Sequence, residues 1–197
     1  MSILALTSDT LIGTPATGNI EYNGQFFGTD SNASRAQLQR IVRATAVAST
    51  SGTSIDFTGI PAWVKRITVM FQGVSTSGTS NVQIQLGTGS TTYTTTGYLG
   101  GNTTAAGSLA QANATTGFVL GSGNQTAASV MHGQVFITNI TGNSWVDTGS
   151  IFMSNTGAIH FTGGSIALAA ALTAVRITTV NGTDTFDAGS INIMYEG

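Results

Sequence analysis

The chain has 197 residues, no cysteine and a net charge of −2, and only 7% of its residues are charged. An average soluble protein carries about 25% charged residues, so this surface must be polar mainly through Ser, Thr, Asn, Gln and Gly. The lack of cysteine excludes disulfides and thiolate metal sites. The small net charge excludes a general attraction to nucleic acid or acidic membranes.

The length suits one principal domain with a short appendage. The most apolar run, residues 166–172, is far shorter than the ~20 residues that span a bilayer, so we expect no membrane insertion. Residues 1–6 lack the basic start of a signal peptide, and we therefore expect synthesis and assembly in a cytoplasm.

Residues 1–45 form a distinct N-terminal segment, in which charged residues are concentrated. Asn23-Gly24 lies between two short apolar runs, 20–22 and 25–27, and this pattern predicts a hairpin with a type I′ turn. Ser31 or Asn32 could cap a short helix that runs to Arg43. Alternation over residues 38–44 is equally compatible with a strand, so both interpretations stay open.

A segment of this size cannot bury its own large apolar side chains, and we expect it to dock on another surface. Its arginines are expected to form ion pairs at that junction or to position the segment there. The candidate docking residues are Tyr22, Phe26, Phe27, Arg35, Arg40 and Arg43.

Residues 46–197 are rich in Val, Ile, Thr and aromatic residues, in runs separated by Gly, Ser and Asn. Strict alternation in 65–71, 81–86 and 190–195 predicts a sheet with one buried and one polar face. Nine or ten short strands with short turns favour an all-β fold, a jelly-roll-like antiparallel β-sandwich. The predicted strands are 54–57, 63–72, 81–86, 92–99, 116–120, 130–140, 144–153, 158–161, 174–180 and 190–195.

The chain offers little for catalysis. His132 and His160 lie in separate runs without acidic neighbours, and no Gly-x-Ser-x-Gly elbow is present. Glycoside hydrolysis needs two facing carboxylates, and nothing singles out a pair. The candidates by type are Asp56, Asp147, Asp184 and Asp187. We expect no enzyme and no cofactor.

The densest acidic stretch is 181–189, where Asp184 and Asp187 could hold a hard cation through oxygen ligands. The stretch lacks the spacing of an EF-hand loop. An Asn-Gly turn whose Asp side chains bond nearby amides is the favoured interpretation, and no metal site is predicted.

Carbohydrate recognition remains open, because sugar sites combine aromatic rings with amide groups. Tyr93, Tyr98 and Trp145 are possible glycan contacts, although Trp145 is also compatible with a core anchor. The Thr-, Gly- and Ala-rich stretch 87–113 predicts variable loops, where binding functions tend to lie.

Three strings resemble proteins of one group. The string GTPATGNIEYNG at residues 13–24 is similar to a motif of tailed-phage fibre and spike proteins. The strings IDFTGIPAWVKRITV (55–69) and VRITTVNGTDTFDAGS (175–190) look like the two ends of a domain common in phage structural proteins.

The resemblance implies a structural protein of the bacteriophage virion, commonly a homotrimer, that contacts other virion proteins through residues 1–45. Typical fibres have long shafts, and this chain has none, so a short knob is expected. A tail fibre or tip protein, a head fibre and a capsid decoration protein are the three placements. The alternative function is a carbohydrate-binding module that recognises host surface glycans.

Overall fold

A computed structural model describes residues 11, 13–14, 16–23, 25–123 and 125–197. The chain divides into two compact units, Met1–Arg40 and Ile41–Gly197. The sequence places this boundary after residue 45. The structural division lies earlier because Ile41–Arg43 pairs with the last strand of the second unit.

The described part of the first unit is a three-stranded antiparallel sheet of β1 (Ile20–Tyr22), β2 (Phe26–Thr29) and β3 (Arg35–Gln37). The predicted hairpin is confirmed, because Tyr22 pairs with Phe26. Gly24 lies outside the described residues, and the predicted turn type with it. The alternative of a helix that runs to Arg43 is wrong, because residues 35–37 form β3, which pairs with β2. The alternative strand over residues 38–44 is present only in part, at Ile41–Arg43.

The second unit contains a nine-stranded and a four-stranded sheet, both antiparallel. The strands are β4 (Ile41–Arg43), β5 (Val47–Ala48), β6 (Ser54–Thr58), β7 (Arg66–Thr76), β8 (Val82–Gly87), β9 (Leu99–Ala105), β10 (Leu109–Ala114), β11 (Phe118–Val119), β12 (Met131–Thr141), β13 (Ser144–Met153), β14 (Ile159–Ala167), β15 (Ala174–Thr179) and β16 (Phe186–Glu196). The larger sheet has the order β10-β9-β14-β13-β12-β7-β16-β4, with β5 also paired to β16, and the smaller sheet has the order β11-β8-β15-β6.

The core lies between these two sheets and takes side chains from both. Ile67 and Val69 of the larger sheet and Ile84 and Ile177 of the smaller one are fully buried in a single cluster. Burial of alternate residues is what the period-2 pattern predicts for a sheet with one inner face. The all-β, antiparallel sandwich class is therefore confirmed, whereas the jelly-roll connectivity stays a prediction.

Most predicted strands are present with shifted ends, but the segment 87–113 differs from the prediction. The strand predicted over 92–99 is absent, and Tyr93 makes only an isolated bridge to Gly87. Instead, β9 and β10 pair as a hairpin inside the stretch predicted to be loops. Their Gly, Ala and Asn residues have weak strand propensity, and pairing of β9 with β14 overrides it.

The described residues contain no helix, and so none of a length and apolarity that could cross a membrane.

Candidate functional site

The outer face of the four-stranded sheet carries two rows of polar residues. Asp56 of β6 pairs with Arg176 of β15, and Arg176 pairs with Gln85 of β8. Directly paired residues point to the same side of an antiparallel sheet, so these three side chains share a face. The neighbouring row contains Ser54, Thr178 and Gln83 in the same three strands.

Arg176 is held in place on two sides. Its Nε donates to Oδ1 of Asp56 at 2.8 Å, and its Nη2 donates to Oδ2 at 2.7 Å. The Tyr93 ring lies over the guanidinium, with 4.0 Å between its centroid and Cζ. The hydrogen bond to Asp56 raises the pKa of Arg176 above its usual value, and burial raises the pKa of Tyr93. The guanidinium is therefore both oriented and charge-compensated.

Two glutamines of β8 point to the outer side of the sheet and are nevertheless buried. Gln83 is 2% and Gln85 6% exposed. The Thr116 hydroxyl donates to Gln83 Oε1 at 2.8 Å, and Gln85 Nε2 donates to the Thr116 carbonyl at 2.9 Å. The sequence predicts these amides on a solvated face, but the segment around Thr116 covers them.

Two glycines permit the covering segments to approach the sheet. A Cβ at Gly117 would lie 2.8 Å from Gln83 Oε1, and a Cβ at Gly87 would lie 2.8 Å from the Thr92 carbonyl oxygen. Both distances are shorter than real Cβ contacts, so any larger residue would displace these segments. The two glycines thus bring Thr116 and Tyr93 to the polar surface.

An open cavity of about 330 Å³ lies on this face. Its lining supplies hydroxyl, amide and guanidinium groups, and its one charged residue is Arg176. We call it the sheet cavity; it is lined by Thr53, Ser54, Gln83, Gln85, Thr95, Thr116, Arg176, Thr178, Thr179, Val180, Asn181 and Gly182. These groups can donate and accept hydrogen bonds, and the lining holds no nucleophile–base pair.

Of the three predicted glycan contacts, Tyr93 lies beside this cavity and packs on Arg176. Tyr98 and Trp145 are buried at 0% and 4% exposure and point into the core, which corrects both predictions. The Tyr98 hydroxyl accepts a hydrogen bond from the Leu86 N–H at 2.8 Å, and burial raises its pKa to about 12. The Tyr98 ring cannot present a face to a sugar, and Trp145, although mostly buried in the core, also borders an apolar cavity with Leu99 and Ile140.

The predicted docking residues of the first unit divide between two faces. Register places Tyr22 and Phe26 on one face with Ile20 and Leu38, and Phe27 on the other. Ile20 is 72%, Leu38 50% and Phe26 46% exposed, and the Tyr22 and Phe26 rings lie 5.0 Å apart. One face of the three-stranded sheet is therefore an uncovered apolar surface, which we call the N-terminal apolar face.

The three predicted docking arginines are not gathered together. Arg35 pairs with Glu21 on the opposite face from Phe26, with Nε donating to Oε2 at 2.7 Å and Nη2 to Oε1 at 3.0 Å. Arg40 is exposed at the end of the first unit. Arg43 lies on β4 of the second unit and pairs with Met194.

A second apolar surface lies on the outer side of the nine-stranded sheet. Phe152 pairs with Ile159, Ile159 with Ala105, and Ala105 with Leu109, so these side chains form a row across four strands. Phe161 lies beside this row, and it is exposed, as are the three large residues of the row. We call Phe152, Ile159, Phe161 and Leu109 the outer-face patch. No charged side chain occupies the outer side of β9, β10, β13 or β14, all of which are fully described.

The titratable groups predicted as catalytic candidates lie in separate surroundings. The His160 ring is buried and its Nδ1–H donates to the Leu120 carbonyl at 3.0 Å, while His132 Nδ1 accepts from the Gly73 N–H at 3.3 Å. Burial lowers the pKa of His160 and raises the pKa of Asp147 to about 6. Asp147 accepts a hydrogen bond from the Thr162 hydroxyl at 2.8 Å.

The acidic stretch 181–189 forms the predicted turn. Asp184 accepts hydrogen bonds from the Ser80 N–H at 2.9 Å and from Asn181 Nδ2 at 2.8 Å, and the latter lowers its pKa. Asp187 accepts a hydrogen bond from the Ser75 hydroxyl. Within the described part of the chain, no three His, Asp or Glu residues lie close enough together to hold a metal ion.

Sequence reasoning missed Arg176, Gln85 and Thr178 as site residues. The available signal was polar alternation: Gln83 and Gln85 alternate with apolar residues in one strand, and Arg176 and Thr178 do so in another. Comparison with protein-family models, with curated proteins and with solved structures finds no match to this chain in any of the three.

Proposed function

We propose that this chain is a non-enzymatic structural protein of a bacteriophage virion, a short homo-oligomeric knob that is held on the particle by residues 1–45. The knob is the β-sandwich, and the particle surface is a tail tip, a head fibre base or the capsid. The three strings that resemble phage fibre and spike proteins support this proposal.

The observation that carries the proposal is the N-terminal apolar face. Ile20, Phe26 and Leu38 are exposed on one side of a sheet that is too small to cover them. Exposed apolar side chains concentrated on one face mark a surface that another protein covers. The ion pair between Glu21 and Arg35 on the other face keeps the three strands together when that surface docks.

Self-association is supported by the outer-face patch. Its large apolar side chains lie on a side of the sheet that is free of charge across four strands. A neutral, apolar surface can pack against a neighbouring copy of the chain without charge repulsion, as a homo-oligomer requires.

The first experiment is immunogold electron microscopy of the parent particle with an antibody against this chain. Gold on tails or heads is the expected result, and particles without gold would contradict a virion role. Incorporation is then compared for the full-length chain and for the variant Phe26→Gln/Leu38→Gln, with Ile140→Gln as the matched control on an exposed residue of β12.

We expect the double variant to fold normally and to be at least ten-fold depleted in particles, and the control to incorporate normally. Normal incorporation of the double variant would show that the N-terminal apolar face does not hold the protein on the particle.

A second candidate function is recognition of host surface glycans. The sheet cavity favours it, because hydroxyl, amide and guanidinium groups from three strands converge there.

A further inference from the structure

We propose that the sheet cavity binds a neutral saccharide unit, with Arg176, Gln85 and Thr95 among its contacts. This inference rests on the second candidate function and adds to it a location and a class of ligand. It stands apart from the docking of residues 1–45, which involves none of the residues that line the cavity.

The base of the cavity is a polar surface held in a fixed arrangement. Glutamine is seldom buried in proteins, yet Gln83 and Gln85 are both more than nine-tenths buried here. Each is oriented by Thr116, through its hydroxyl in one case and its carbonyl in the other. Nε2 of Gln85 donates to Thr116, whereas its Oε1 accepts no hydrogen bond from the described residues and is left as an acceptor for a ligand.

Arg176 supplies donors from the adjacent position. Its Nε and Nη2 are bonded to Asp56, and its plane is held by the Tyr93 ring. Its Nη1 makes no hydrogen bond within the described chain, so two N–H groups are left to donate. A guanidinium that is already immobilised loses little side-chain entropy when a ligand binds.

The charge balance of the cavity favours a neutral ligand. Arg176 is the one charged residue in the lining, and Asp56 offsets it at 2.7 Å. An acidic sugar would gain little from a guanidinium already paired with a carboxylate, and it would be repelled by Asp56 itself. A phosphate or sulfate group would likewise gain little from Arg176 and would be repelled by Asp56.

Sugar hydroxyls match the remaining groups. Each hydroxyl both donates and accepts hydrogen bonds, and the cavity offers both kinds of partner. Arg176 donates and Gln85 Oε1 accepts, while the hydroxyls of Ser54 and Thr95 can do either. The Thr178 hydroxyl donates to the Thr53 carbonyl at 2.8 Å and is left as an acceptor. The volume of about 330 Å³ falls at the lower end of the ~300–1,000 Å³ typical of small-molecule sites, which suits a single sugar unit of a longer glycan.

The test uses the full-length protein on an array of neutral, sialylated, uronic-acid and sulfated glycans, followed by calorimetric titration with the strongest neutral glycan. The variants are Asp56→Asn/Arg176→Gln, which removes the guanidinium without leaving a lone charge, and Thr95→Val. Thr148→Val is the matched control, because Thr148 is also an exposed threonine but lies on the outer side of β13.

We expect the wild-type protein to bind neutral glycans. We expect the double variant to lose at least ten-fold in affinity, Thr95→Val to lose about three-fold or more, and Thr148→Val to bind as the wild type does. Thermal unfolding of each variant checks that it is folded, and Thr95→Val carries the test if the double variant is not.

Three results would overturn the inference: no binding of any glycan at millimolar concentration, binding confined to acidic glycans, or unchanged affinity in both cavity variants. None of them alters particle incorporation, which is measured separately, so the failure of this inference and of the virion proposal can be told apart.

Discussion

Leu86 and Tyr98 are joined by a hydrogen bond inside the core of the second unit, where the Leu86 N–H donates to the phenolic oxygen at 2.8 Å. Leu86 lies on β8, and Tyr98 immediately precedes β9. The Tyr98 hydroxyl, which lies just before a strand of the nine-stranded sheet, thus satisfies a backbone N–H of the four-stranded sheet. An edge-to-face contact with Phe118, 5.0 Å between ring centroids, holds the Tyr98 ring.

The change Tyr98→Phe removes this acceptor and leaves a buried N–H without a partner. We expect the free energy of unfolding to fall by about 1–3 kcal/mol and glycan binding to be unchanged. Denaturant unfolding measures the first, and calorimetry the second. The control is Tyr93→Phe, whose partly exposed hydroxyl contacts the Ser90 carbonyl at 3.4 Å and also interacts with the Asp56 carboxylate. This change should lower stability by about 1 kcal/mol or less, because water can replace the lost partner at the surface. Equal effects of the two changes would contradict this role of Tyr98.

Asp147 should make stability depend on pH. Burial raises its pKa from 3.8 to about 6, and Oδ1 has no hydrogen-bond partner among the described residues. The folded state therefore prefers the protonated carboxyl, so stability is lost as pH rises from about 4 to about 6. A shift of this size corresponds to about 3 kcal/mol at most.

The comparison with Asp147→Asn isolates this effect. Relative to the variant, the wild-type protein should become less stable between pH 4 and pH 7 in urea unfolding. The lowered pKa of His160 acts in the opposite direction, because its contribution is lost as pH falls, but it is present in both proteins. A constant difference across this pH range would refute the prediction.

The second unit should fold without the first. Its two sheets pair only strands β4–β16, and its core cluster begins at Ile55. We expect a fragment of residues 41–197 to have a native-like circular dichroism spectrum and to unfold cooperatively. Residues 46–197 lack β4 and its pairing with β16, and should be less stable by about 1–3 kcal/mol. Equal stability of the two fragments would favour the boundary at residue 45.

The outer-face patch should govern self-association. The change Phe161→Gln removes an exposed ring from the centre of the patch, and burial of such a ring contributes about 1.5–3 kcal/mol. By light scattering, we expect a trimer for the wild-type protein and dissociation to monomer for the variant at micromolar concentration. The control is Ser150→Ala, which should stay trimeric. Ser150 is the exposed residue of β13 that pairs with Phe161. A trimer in both would place the interface elsewhere.

The class of fold could be predicted because alternation is a local property. Ile67, Val69 and Phe71 repeat every second residue and are all buried. The hairpin of β9 and β10 could not be predicted, because Gly100 and Gly101 give no period-2 signal. In the folded sheet they pair with β10 on one side and with the distant strand β14 on the other.

The candidate site was harder to predict for a related reason. Tyr93, Tyr98 and Trp145 have the same kind of sequence surroundings, an aromatic residue among Thr, Gly or Asn. Only packing separates them: Tyr98 and Trp145 fill the core, while Tyr93 lies against Arg176. The type of side chain alone could therefore not distinguish a ring at the surface from a ring in the core.

Composition and periodicity were sufficient for the weakly charged surface and the sandwich class, since the first depends on residue types alone and the second on residues close together in the chain. The sheet cavity depended on register. Asp56, Gln85 and Arg176 are far apart in sequence and become neighbours only because β6, β15 and β8 pair in one alignment. A shift of one residue in that alignment would turn these side chains into the core, so the site exists only in the folded sheet.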